Sequence, residues 1–194
     1  MRFKILSALA ATSALLPCLA QAEGLSYSYV DLAYINTDID QFDQDVDGFA
    51  LRGSLEITDQ VFLFAGYTDQ STSIFDNDLD VQTFGLGVGY AWPIAPSTDL
   101  YGKIGYVKTE ADYDRFNADD DGYSLGVGLR GRVADQFELE GALNYVDLSD
   151  SGDDTSLGLA GRWFFTEQFA LGVEAAFGDD ANTYGVGIRW NFGK

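Results

Sequence analysis

The chain closes on a segment that alternates without a break: Thr183-Tyr184-Gly185-Val186-Gly187-Ile188-Arg189-Trp190-Asn191-Phe192. Every even position is apolar or aromatic, and every odd position is small or polar. A period of two belongs to an extended strand, in which successive side chains point to opposite faces. Such a strand has one wide apolar face and one narrow polar face. It fits either a soluble sheet packed over a core or a sheet whose outer side meets lipid.

The same reading marks ten candidate strands, near residues 25–36, 46–57, 61–69, 81–92, 99–108, 122–133, 137–147, 155–165, 169–178 and 183–192. Their connections fall into two kinds. One set is short and repetitive: Thr58-Asp59-Gln60, Ala134-Asp135-Gln136 and Thr166-Glu167-Gln168, joined by a turn from Pro93 to Thr98 that two prolines mark. The other set reads as longer and acidic, over Asn36–Asp47, Asp69–Asp80, Thr109–Asp121, Asp147–Asp154 and Asp179–Asn182. It holds most of the 31 acidic residues. Short turns at one rim and long connections at the other are the asymmetry of a bacterial outer-membrane barrel. The expected fold is therefore all-β, an antiparallel transmembrane up-and-down β-barrel of ten strands, with eight as the alternative. A soluble β-domain burying the same residues as a core is the competing architecture.

The N-terminus agrees with export. Arg2 and Lys4 precede an apolar run from Ile5 to Leu19 and then Ala20-Gln21-Ala22, the pattern of a secretory signal peptide cut before Glu23. Residues 1–22 are thus expected to be removed, leaving 23–194 as one barrel domain. Cys18, the single cysteine, leaves with the signal, so no disulfide framework is available. No later stretch is long and apolar enough for a spanning helix.

Assigned by alternation, one strand face carries Phe49, Leu51, Leu55, Ile57, Phe84, Leu86, Val88, Tyr90, Trp92, Tyr123, Leu125, Val127, Leu129, Val133, Leu157, Leu159, Trp163 and Phe165, the expected lipid face. The opposite face collects Gly85, Gly87, Gly89, Gly126 and Gly128 with nearly all of the charges that fall within strands. Arg52, Lys103, Arg130, Arg132, Arg162 and Arg189 face Asp31, Glu56, Glu138, Glu140 and Glu174 in a nearly neutral lumen. About the turn at Asp135, Arg132 falls opposite Glu138 and Arg130 opposite Glu140. An ion-pair network that fills the barrel is expected, because unpaired charges in a narrow interior are costly. A slender channel for small solutes is the alternative.

The formal net charge of −20 argues against nucleic-acid partners. With no histidine in the chain and no cysteine after cleavage, nucleophile activation by an imidazole is excluded, and no enzymatic activity is expected. Asp43-Gln44-Asp45-Val46-Asp47-Gly48 matches the opening of a calcium-binding EF-hand loop, but its twelfth position is Ser54 instead of Glu. Asp76, Asp78 and Asp80, and Asp119, Asp120 and Asp121, repeat the charge without the motif. Weak Ca or Mg binding is one expectation for these stretches, and solvated anionic loops with no cofactor the other.

Several segments carry a family resemblance: Leu25-Ser26-Tyr27 through Tyr29-Val30, Phe62-Leu63-Phe64-Ala65-Gly66-Tyr67, the turn Ile94-Ala95-Pro96-Ser97-Thr98-Asp99-Leu100, and the aromatic last strand. The chain resembles the small OmpX/OmpW-like outer-membrane β-barrels whose expression diffusible signal factor controls. The resemblance implies an outer-membrane location, contact with lipid and lipopolysaccharide, and a role in surface behaviour such as biofilm formation or motility. It supplies no catalytic residues and names no extracellular partner. Gly187, Trp190 and Phe192 resemble the terminal pattern that the barrel-assembly machinery reads.

Overall fold

In the computed structural model, residues 25–39, 45–74, 77–113, 116–179 and 181–192 are described. The expected signal peptide, Asp43 and Asp76 lie outside them. Ten antiparallel strands follow in chain order: β1 (Tyr29–Ile39), β2 (Asp45–Glu56), β3 (Val61–Ile74), β4 (Asn77–Ala95), β5 (Thr98–Tyr113), β6 (Phe116–Ala134), β7 (Phe137–Leu148), β8 (Gly152–Phe164), β9 (Phe169–Phe177) and β10 (Ala181–Asn191). Each pairs with its chain neighbours, and β1 pairs with β10, so the sheet closes on itself with ten strands and not eight. Closure leaves no edge ladder unsatisfied, which a sheet in hydrocarbon requires.

The outer wall is apolar. Leu32, Leu51, Leu63, Leu86, Ile104, Val127, Leu143, Leu159, Leu171 and Val186 all point outward and are strongly exposed. So continuous an apolar surface around a closed barrel is a lipid-facing belt, not a soluble core. Aromatic rings bound the belt on both sides. At the short-turn rim a run passes from Trp163 through Phe165, Phe169 and Trp190 to Phe192, with successive ring centroids 5.4–6.5 Å apart. At the other rim stand the pairs Tyr34–Phe49, Tyr123–Tyr145 and Phe177–Tyr184. These are interfacial girdles, where a ring buries its body and keeps a polar edge wet.

The repeated short turns have a local cause. Thr58 Oγ1 accepts from the amides of Gln60 (3.3 Å) and Val61 (3.0 Å), and Thr166 Oγ1 accepts in the same way from Gln168 (3.3 Å) and Phe169 (2.9 Å). The hydroxyl thus closes the turn that Thr-acid-Gln spells. Ala134-Asp135-Gln136 lacks that hydroxyl. It makes a tighter turn, with a register shift between Arg132 and Ala134. At the opposite rim Gly152, at φ +89°, supplies the left-handed residue that brings β7 into β8.

Two expectations change. The acidic connections are mostly paired strand: β3 and β4 stay in register to Ile74 and Asn77, and β5 and β6 to Tyr113 and Phe116. Asp45, Asp47, Asp78, Asp80, Asp119, Asp120 and Asp121 therefore sit in ladders, not loops. The outer face needs apolar residues only within the bilayer, so hydropathy marks where the membrane ends and not where the ladder ends. The first strand also begins at Tyr29, not at residue 25. Residues 25–28 leave the wall and are buried.

Candidate functional site

The lumen divides into two halves. In the half near the short turns, glycines on one strand make room for rings from the next. Phe62 lies opposite Gly89 and Phe64 opposite Gly87, while Tyr101 lies opposite Gly128. A methyl on Gly87 would lie 2.6 Å from Phe64 Cζ, and one on Gly128 2.6 Å from Tyr101 Cζ. Onto these inward rings the N-terminal segment folds. Leu25 and Tyr27 join Phe62, Ala91, Tyr101 and Ala142 in one buried cluster, with Tyr27 stacked on Phe62 at 4.5 Å. Ser28 Oγ accepts from the Glu56 amide at 3.1 Å, tying the segment to the end of β2.

Charges pack beside the rings. Arg130 and Glu138 are 2% and 0% exposed. Arg130 donates to both Glu138 oxygens (2.9 and 3.0 Å) and to the Ser26 carbonyl (2.9 Å). Glu138 also accepts from Arg162 at 3.1 Å and Arg189 at 3.4 Å. Arg162 continues to Glu140 (2.8 Å), whose other oxygen accepts from the Tyr101 hydroxyl. Arg189 forks onto Asp31 at 2.7 and 2.6 Å, and Arg52 onto Glu174 at 2.6 Å twice. Arg130 stands over Tyr27 (4.9 Å) and Arg189 over Tyr29 (3.6 Å), so the same cations are also held by ring faces.

The register is the expected one, with Arg130 opposite Glu140 and Arg132 opposite Glu138. The contacts are not. Arg130 reaches diagonally to Glu138, because long side chains in a twisted sheet meet neighbours two residues along as easily as those directly opposite. Arg132 instead lies over the Phe164 ring at 4.6 Å, its Nε buried without a partner. Lys103 lies 5.6 Å from the Phe64 centroid and 5.5 Å from that of Tyr101, and among the described residues it makes no ion pair. Among the described residues, Glu56 meets Ser28 and pairs with no arginine.

In the other half, inward side chains next to the cavity are joined by neutral hydrogen bonds. Gln70 donates to Thr37 Oγ1 at 2.8 Å, Thr37 and Thr183 share a hydrogen bond of 2.9 Å, and Thr83 and Thr109 share one of 3.1 Å. Between the halves lies a cavity of about 380 Å³, lined by Lys103, Asn144, Thr68 and Gln70 together with the paired arginines 52, 162 and 189.

The acidic stretches act one by one. Asn36 Nδ2 donates to Asp47 at 2.8 Å and to Asp45 at 3.3 Å, and with Tyr34 it holds the Asp47 carboxyl below the usual aspartate range. Lys108 bridges Glu110 (2.6 Å) and reaches toward Asp119 (3.9 Å). Asp80 pairs across the ladder with Asp112, and Asp121 with Lys108. Asp120 accepts from the amides of Asp150 and Ser151. Among the described residues, no three carboxylates converge as a metal would need. Of the terminal pattern, Trp190 and Phe192 stand in the aromatic girdle. Gly187 faces Ala33 across the closing seam, where a Cβ would strike the Leu32 carbonyl and Ala33.

Several residues that shape this site escape the alternation rule: Tyr27, Phe62, Phe64 and Tyr101. Their signal was the glycine row itself. Of that row, Gly87, Gly89 and Gly128 leave holes in one wall that rings from the next strand fill.

A closed barrel of ten strands, with an apolar belt between two aromatic girdles and a polar lumen, defines an integral β-barrel protein of the bacterial outer membrane. Residues 6–192 match the family model of the outer membrane protein beta-barrel domain, and the chain belongs to that family. No curated protein matches it in sequence. Among solved structures, the NanC porin superposes with a TM-score of 0.56 at 8% identity, covering 84% of this chain and 100% of its own. Ail, the attachment invasion locus protein of Yersinia pestis, is similar at 16% identity, 87% and 99% coverage and a TM-score of 0.47. OprG of Pseudomonas aeruginosa is similar at 12% identity, 89% and 99% coverage and a TM-score of 0.48. NanC supports the fold of this chain.

Proposed function

We propose that the protein is a non-enzymatic, closed outer-membrane barrel that serves as a rigid surface scaffold. Its lumen is plugged at the short-turn, periplasmic end, and its carboxylate-rich hairpins stand outside the cell. The observation that carries this reading is the complete burial of Arg130 and Glu138 beneath the N-terminal segment. A buried ion pair held against the N-terminal segment supports a lumen filled by side chains at that level. Lipid and lipopolysaccharide surround the belt, the assembly machinery reads the strand ending in Trp190 and Phe192, and nucleic acid is not a partner. The outer hairpins take part in surface behaviour such as biofilm formation. Their spaced carboxylates bind Ca or Mg weakly at most.

Planar-bilayer recording of the refolded protein tests this reading. The unaltered barrel is expected to show little or no stable conductance. Joint replacement of Glu138 and Glu140 by alanine frees the arginines and is expected to raise anion leakage or reduce stability. Reproducible open channels in the unaltered protein, with a selectivity set by these residues, would overturn the scaffold reading in favour of a narrow porin.

A further inference from the structure

The cavity above the plug contains a charge that the network leaves over. Each carboxylate in its wall is already taken: Glu174 by Arg52, Glu140 by Arg162 and Asp31 by Arg189. Lys103 is the remaining cation, and among the described residues only ring faces approach its ammonium. Asn144 sits beside it. A methyl on Gly126 would lie 3.1 Å from Lys103 Cε and 3.1 Å from Asn144 Oδ1, so both side chains lean over the same glycine. Asn144 makes no side-chain hydrogen bond among the described residues, and its amide can turn Nδ2 toward a ligand.

We infer that this cavity is a binding site for a small organic monocarboxylate, whose oxygens meet Lys103 Nζ and Asn144 Nδ2. A partly enclosed ammonium with no counter-ion favours an anion. The space of about 380 Å³ is far larger than a halide and falls in the range of small-molecule sites. Ala142, Ala160 and Ala176 offer methyl groups to a short carbon tail, while Thr68, Gln70 and Thr183 suit hydroxyl groups on it. The site borders the plug, sharing Glu140, Arg162 and Arg189 as its floor, and does not depend on whether the barrel conducts.

Calorimetric titration of the folded protein in zwitterionic detergent with butyrate tests the assignment, using butyramide as the uncharged isostere and chloride and phosphate as inorganic anions. Butyrate is expected to bind at least about tenfold more tightly than butyramide, as a charge-assisted hydrogen bond implies. Lys103→Met should lose about tenfold or more, and Lys103→Arg should retain most of the affinity. In the unaltered protein, butyrate should move the backbone amide resonances of Gly126 and Asn144, which keeps the test open if Lys103→Met fails to fold. Equal binding of butyrate and butyramide, an unaffected Lys103→Met, or amide shifts confined to other regions would overturn the site. Chloride or phosphate binding as tightly as butyrate would overturn the organic-acid assignment.

Discussion

The two halves of the lumen are built on opposite principles within one wall. The periplasmic half joins charge to aromatic bulk: Arg130, Glu138, Arg162 and Arg189 are locked among Tyr27, Tyr29, Phe62 and Tyr101. Above the cavity, the inward side chains of the extracellular half are joined by neutral hydrogen bonds, such as those among Gln70, Thr37 and Thr183, and leave space beneath them. The strands and their closure are shared, so the difference lies entirely in inward side chains. Dense charge and ring packing is concentrated at one end, and open space lies toward the other.

The contrast is broken most forcefully at Glu138, which accepts from three arginines. Glu138→Ala leaves these cations buried and short of an acceptor, and is expected to cost about 3–5 kcal/mol. Thr183→Ala removes one neutral hydrogen bond from the other half and is expected to cost about 0.5–1.5 kcal/mol. Urea unfolding of both variants in lipid vesicles checks the pair. Similar losses at the two sites would show that the halves are not energetically distinct.

Two further comparisons locate the boundaries. On the outer face of β4, Leu86 lies within the apolar belt and Gln82 beyond it. Leu86→Arg is expected to destabilise by about 2–4 kcal/mol and Gln82→Arg by about 0–1 kcal/mol. Equal penalties would place the membrane edge elsewhere. On the inner face of the same strand, a methyl at Gly89 runs into the Phe62 ring, whereas one at Gly85 meets only the Tyr106 carbonyl at 3.6 Å. Gly89→Ala is expected to cost about 1–3 kcal/mol by overpacking the plug. Gly85→Ala should be nearly neutral, and folding yields in detergent would separate the two.

What could be read from the sequence follows the same division. The barrel, its ten strands and its outer-membrane location were legible because lipid imposes a strict period of two on Leu86, Val88 and their neighbours. The positions of Arg130 opposite Glu140 and Arg132 opposite Glu138 followed from the turn at Asp135. Less legible was anything set by side-chain length or by distant chain: the diagonal reach of Arg130, the stacking of Arg132 on Phe164, and the inward turn of residues 25–28. Phe62-Leu63-Phe64 is apolar on both faces of β3, so periodicity alone does not say that the two rings fill the lumen while Leu63 faces outward. Beyond the belt the outer surface is wet, and the pairing of Asp80 with Asp112 carries no hydropathic mark at all.

The mildest expected effect tests the outermost part of the extracellular half. Asp120 accepts from the amides of Ser151 at 2.7 Å and Asp150 at 3.1 Å, closing the β7–β8 turn. The Ser151 hydroxyl foremost, and then the amides of Asp150 and Ser151, favour the carboxylate and lower its pKa below the ordinary 3.8. Because the folded value is the lower one, the contribution to the turn is fully present above the unfolded value and is lost as pH falls through the folded value. The Ser151 amide resonance should therefore titrate with a midpoint below the ordinary 3.8. Asp120→Asn keeps one acceptor oxygen and removes the charge, so it should abolish this titration and speed hydrogen exchange at Asp150 and Ser151 with no measurable change in global unfolding. A global loss of stability in that variant would mean that the outer hairpins are coupled to the plug, and that the two halves do not behave independently.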